Sequence, residues 1–75
     1  MKDKILEILL SIRPENDFKN SINFQFDGLL DSFDMIILVS TIEKVFSIKV
    51  PGECIVPSNF KSLDVIVSLV SDLSS

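Results

Sequence analysis

Residues 32–46, SFDMIILVSTIEKVF, constrain this chain more than any other stretch. At 100° per residue, Met35, Leu38, Val39, Ile42, Val45 and Phe46 fall on one face, the pattern of a helix laid against a core. Phe33, Ile37, Ser40 and Lys44 point roughly the opposite way. Ile36 and Glu43 flank them on one edge, Asp34 and Thr41 on the other. Phe33, Ile36 and Ile37 are therefore large apolar residues where a surface helix ordinarily carries polar groups. A fold for this chain must bury the first stripe, and a function must account for the second.

Two other segments carry the same period. From about Lys2 to Arg13, Ile5, Ile8, Leu9 and Ile12 share a face with Leu6 at its edge, while Asp3, Glu7 and Ser11 share the other. Pro14 ends that helix, because the residue before a proline is pushed out of the helical region. From about Leu63 to Leu73, Leu63, Ile66, Val67, Val70 and Leu73 face inward and Asp64, Ser68, Ser71 and Asp72 outward. Ser62 is a natural N-cap, and Asp64 suits the positive end of the helix dipole. The β-branched run VIVSLV would also suit a strand, but the polar stripe at helical spacing decides for a helix.

Residues 14–30, PENDFKNSINFQFDGLL, form a connection longer than small domains usually carry. Phe18, Ile22, Phe24, Phe26 and Leu29 are expected to pin it onto the helices. The alternation in INFQF would fit a strand, but no partner strand is in sight, so a pinned loop is preferred. After the second helix, SIKVP leaves with Ile48 and Val50 as anchors, and PGECIVP leaves room for a short helical turn. The expectation is an all-α fold in one domain, residues 1–75. It is a small antiparallel helical bundle of three main helices with a short helix between the last two.

Composition prunes the chemistry. The 75 residues contain no His and a single cysteine, Cys54, so Ser-His-Asp and Cys-His catalysis are excluded and a zinc site is not expected. Gly28 and Gly52 are the two glycines, too few for a phosphate-cradling loop. Seven basic against eleven acidic residues give a net charge of −4, which argues against nucleic acid. The start, MKDKILEILL, carries acids and lacks a small-residue cleavage site, so no signal peptide is expected. The longest apolar run, MIILV, falls far short of the ~20 residues a bilayer span needs. An unpaired cysteine fits a reducing, cytoplasmic compartment.

Ser32 admits two readings. In the first it caps the second helix, since serine is among the best N-cap residues. Asp31 is an equally good cap, and with Asp34 three residues on, DSFD resembles a capping box. If Asp31 caps, the Ser32 hydroxyl is free at the positive end of the helix dipole, beside unpaired backbone N–H groups that favour an attached phosphate. Phe33, Ile36 and Ile37 likewise have two readings: residues 14–30 fold back over them, or they form a docking patch for partners. Cys54, far from this stretch in sequence, reads as a small, partly buried residue.

The stretch GLLDSFD, followed by MIILVSTIEKVF and then IKVP, resembles the acyl carrier proteins and their peptidyl and aminoacyl relatives. The likeness extends over most of the chain: a first amphipathic helix, a long loop ending in LLDS, a second helix ending in Phe, an exit ending in Pro, and a last apolar helix. It implies that Ser32 carries 4′-phosphopantetheine, delivered from coenzyme A by a phosphopantetheinyl transferase. It implies that Asp31 supports that transfer by helping to hold the divalent metal. Phe33 stands where the family usually has leucine, and Ile36, Ser40, Glu43 and Lys44 take the partner-facing side. The chain would not be an enzyme itself. It would work as a monomer, serving a loading enzyme, adenylating or acyl-transferring, and downstream acyl-processing enzymes. Residues 32–46 hold only Asp34, Glu43 and an opposing Lys44, and Ile37 falls where fatty-acid carriers often have an acid. That departure points to a specialised biosynthetic pathway rather than primary fatty-acid synthesis. The competing expectation is an unmodified helical interaction module that binds a partner helix through the exposed face of the second helix.

Overall fold

Pro14 acts where the sequence places it. In the computed structural model, which describes residues 1–21, 23–24 and 26–74, the first helix (α1) spans Lys2–Ile12. Arg13 turns out of the helix at φ −135°, ψ 80°, one residue before the expected end. The second helix (α2) spans Ser32–Phe46 and the third (α3) Leu63–Ser74. The segment between them holds not one but two short 3-10 turns, Gly52–Cys54 and Pro57–Asn59. There is no strand among the described residues, so the fold is all-α.

Contacts at the helix ends set the topology. The end of α1 meets the start of α2 through Arg13 and Asp34, while Lys4, Glu7 and Ile8 of α1 line a cleft with Val45 near the end of α2. The two helices therefore run antiparallel. Lys2 and Asp64 pair at 3.4 Å, bringing the first turns of α1 and α3 to the same end. The direction thus reverses from each helix to the next. The Lys2–Asp64 pair is solvent-exposed on both sides, so it marks this arrangement more than it stabilises it.

The core follows the helical periods. Ile5, Ile8 and Leu9 of α1, Met35, Leu38, Val39 and Ile42 of α2, and Leu63, Ile66 and Val70 of α3 are buried in one cluster. Ile12, Phe46, Val67 and Leu73 pack partly buried against it. Val50 is buried and Ile48 half-buried, so both anchor the α2 exit as expected. The Ser62 hydroxyl accepts the Val65 amide at 3.3 Å and caps α3. Val45 departs from its expected core position. It is 40% exposed, because it sits at the edge of the stripe, where α1 leaves a cleft instead of packing against it.

The long connection is a pinned loop. Phe18 and Phe24 are buried and meet edge to face, with ring centroids 5.1 Å apart. The Phe24 amide donates to the Lys61 carbonyl at 2.6 Å, and the Phe24 carbonyl receives the Leu29 amide at 2.7 Å. Phe24 therefore ties the loop to the α3 approach, and the described residues of INFQF, Asn23, Phe24 and Phe26, form no strand. Leu29 is half-buried against the core. Phe26 was an expected pin but is 87% exposed, since the turn that buries Phe24 directs Phe26 away from the core. Ile22, the remaining expected pin, lies outside the described residues.

Candidate functional site

The start of α2 is capped by Asp31 and not by Ser32. The Asp34 amide donates to Asp31 Oδ1 at 2.8 Å, and the Asp31 amide reaches back to Asp34 Oδ2 at 3.4 Å. That is a reciprocal capping box with Asp in place of the usual Glu or Gln. Ser32 is consequently the first residue of the helix, exposed, and its hydroxyl has no hydrogen-bond partner among the described residues. Its own amide and that of Phe33 belong to the first turn, where intrahelical acceptors are lacking. An exposed hydroxyl beside free N–H groups at a helix start has the donor set that a phosphodiester needs.

The patch beside it is open. Phe33 and Ile36 are each 66% exposed and Ile37 39%, so the described residues of 14–30 do not cover them. Ser40 and Lys44 are exposed on the same side. Glu43 is not available in the same way. It is half-buried, and its carboxylate accepts the Val50 amide at 2.9 Å, fastening the exit of α2. Asp34, placed by periodicity on the flank of the outer face, is instead buried at 4% exposure. It turns under the helix start because the capping box and a cation from α1 draw it there.

That cation is Arg13, which sequence reasoning did not single out. Its Nε donates to Asp34 Oδ2 at 3.0 Å. The hydrogen bond that Arg13 donates to Asp34, followed by that residue's charge, raises the Arg13 pKa above its ordinary value; desolvation opposes the shift, and Asp31 and Glu15 add to it. Arg13 is therefore a fixed cation beside the cap. Asn16 adds a second tie, its side-chain amide donating to the Leu29 carbonyl at 3.0 Å. Arg13 and Asp34 stand 21 residues apart, a separation no local period reveals. The available signal was the lone arginine held at the helix-terminating proline.

Phe33, Ile37 and Thr41 form a four-residue-spaced row facing the end of α1, and an open groove of about 450 Å³ lies between them and Ser11, Ile12 and Arg13. The hydroxyls of Ser11 and Thr41 already donate to the Ile8 and Ile37 carbonyls, and the groove is mixed: Ile12, Phe33 and Ile37 give it apolar wall, while the paired Arg13 and Asp34 give it charged wall. Cys54 is half-buried against the core and carries a free thiol. Among the described residues, no group of three or more His, Cys, Asp or Glu side chains is arranged to hold a metal ion, and no helix is long and apolar enough to cross a membrane. No protein-family model matches this sequence, and neither a curated protein nor a solved structure matches it.

Proposed function

We propose that this chain is an acyl or aminoacyl carrier protein whose 4′-phosphopantetheine attachment point is Ser32. The observation that carries the reading is the division of labour at the start of α2: Asp31 and Asp34 cap each other, and the exposed Ser32 hydroxyl is left over. A serine that capped its own helix would have to give up that bond before reacting. This one does not. Its oxygen would form the phosphodiester to the arm while the first-turn amides face the phosphate. The second oxygen of Asp31 stays available at the exposed edge, where a transferase-bound metal would approach. When attached, the arm supplies a thiol that carries cargo as a thioester.

The chain's remaining part is recognition. Phe33, Ile36 and Ile37 offer a small apolar docking surface, with Ser40 and Lys44 at its side, suited to weak and reversible contacts with a transferase, a loading enzyme and acyl-processing enzymes. Tethering then raises the local concentration of cargo at each partner, which removes the need for tight docking. The chain acts as a non-enzymatic monomer in the cytoplasm, where its single thiol stays reduced. The shortage of acids on the outer face of α2 favours a dedicated pathway over primary fatty-acid synthesis. An unmodified interaction module would use the same patch. The two readings part on one experiment. Incubation with coenzyme A and a broad-specificity phosphopantetheinyl transferase, followed by intact-mass spectrometry, is expected to show one added arm; no added mass would leave the module.

A further inference from the structure

Two residues compete to cap α2. Asp and Ser are comparably good N-caps. In the observed arrangement Asp31 caps, its carboxylate taking the Asp34 amide and its carbonyl taking the Met35 amide at 3.0 Å. If Ser32 capped instead, the helix would begin one residue later. Its hydroxyl would turn inward to the Met35 amide, and Asp34 would lose its reciprocal bond. Local sequence alone does not decide between these two starts.

A contact from outside the helix separates them. Asp34 Oδ2 is shared between the Asp31 amide and Arg13 Nε, and Asp34 is buried. Moving Asp34 out of the capping box would also take its carboxylate off the guanidinium. We propose that Arg13 is a positioning residue for Ser32: by holding Asp34 it keeps the cap on Asp31, and so keeps the serine hydroxyl presented to the transferase. Asn16, bound to the Leu29 carbonyl at 3.0 Å, ties the two ends of the long loop together beside this contact. This assignment rests on the reading of Ser32 as the attachment serine.

The test compares wild type, Arg13→Ala and Ile48→Ala, all below their melting temperatures. Ile48 lies beyond the opposite end of α2 and controls for a general loss of stability. Arg13→Ala is expected to lower kcat for arm transfer from coenzyme A by roughly tenfold or more, the scale of a misplaced reacting group, with KM little changed because the docking patch is intact. Hydrogen exchange by NMR is expected to speed up at the Asp34 amide in Arg13→Ala and not in Ile48→Ala. The proposal is overturned if Arg13→Ala transfers at the wild-type rate, if Asp34 exchange is unchanged, or if Ile48→Ala lowers kcat equally. Wild-type protein that accepts the arm alongside a fully active Arg13→Ala removes Arg13 alone. Wild-type protein that accepts no arm removes the reading of Ser32 and this proposal together.

Discussion

Asp31 and Asp34 hold the start of α2 reciprocally, each side chain accepting the other's backbone amide, at 2.8 and 3.4 Å. Ser32 lies between them in sequence and takes no part. Asp34→Ala removes one limb of this box and the acceptor for Arg13. Stability is expected to fall by about 1–2 kcal/mol, the scale of a lost cap, read from urea denaturation. An unchanged midpoint would mean that the box does not hold the helix start.

The register of α2 makes a separate prediction. Leu38 and Ile42 are almost wholly buried. Truncating either to Ala is expected to cost about 2–5 kcal/mol, a large share of the stability of so small a domain. Thermal melts of both variants matching wild type would mean that the core face is misassigned, and the outer face with it.

Phe24 and Phe26 sit two residues apart in one loop and differ almost completely in burial. Phe24→Ala is expected to destabilise by about 3–5 kcal/mol, and Phe26→Ala to stay within about 0.5 kcal/mol. Parallel melts decide it, and equal losses would contradict the turn that separates the two rings.

These cases mark where the sequence was legible. The α2 core stripe could be read because helical spacing fixes direction; DSFD showed that Asp31 could cap, but left Ser32 an equal candidate, because both side chains lie within reach of first-turn amides. Phe26 could not be placed, because irregular backbone has no period that tells an inward ring from an outward one. Val45 failed for a different reason: angle alone puts it on the stripe, but burial also needs a neighbour, and α1 leaves a gap there. Glu43 reads as a solvent-facing acid until its carboxylate is seen on the Val50 amide, a bond set by how the chain leaves the helix. Arg13 reaches Asp34 only because the loop returns α2 to the end of α1.

Ile37 tests the proposed docking surface. It is partly exposed, and Ile37→Glu is expected to shift stability by no more than about 0.5 kcal/mol. Loading by the native partner should nevertheless fall, because a charge would have to be desolvated where an apolar contact was. Recognition by a fatty-acid transacylase should improve in the same variant, a change of specificity rather than a plain loss. Loading rates with both enzymes, alongside a melting curve, separate these outcomes. Normal native loading with a normal melt would mean that the patch does not dock partners.

If the capping box frees Ser32 to carry the proposed arm, Ser32→Ala removes the attachment atom while leaving the cap in place. With Asp31 holding the helix, loss of the hydroxyl is expected to cost about 1 kcal/mol or less. The measurement is intact-mass spectrometry of wild type and Ser32→Ala after incubation with coenzyme A and the transferase, each sample checked by a melting curve. Wild type is expected to gain one arm, Ser32→Ala none, and the two melts to be nearly superimposable. An added arm that persists in Ser32→Ala, or wild-type protein that gains none, would contradict attachment at Ser32.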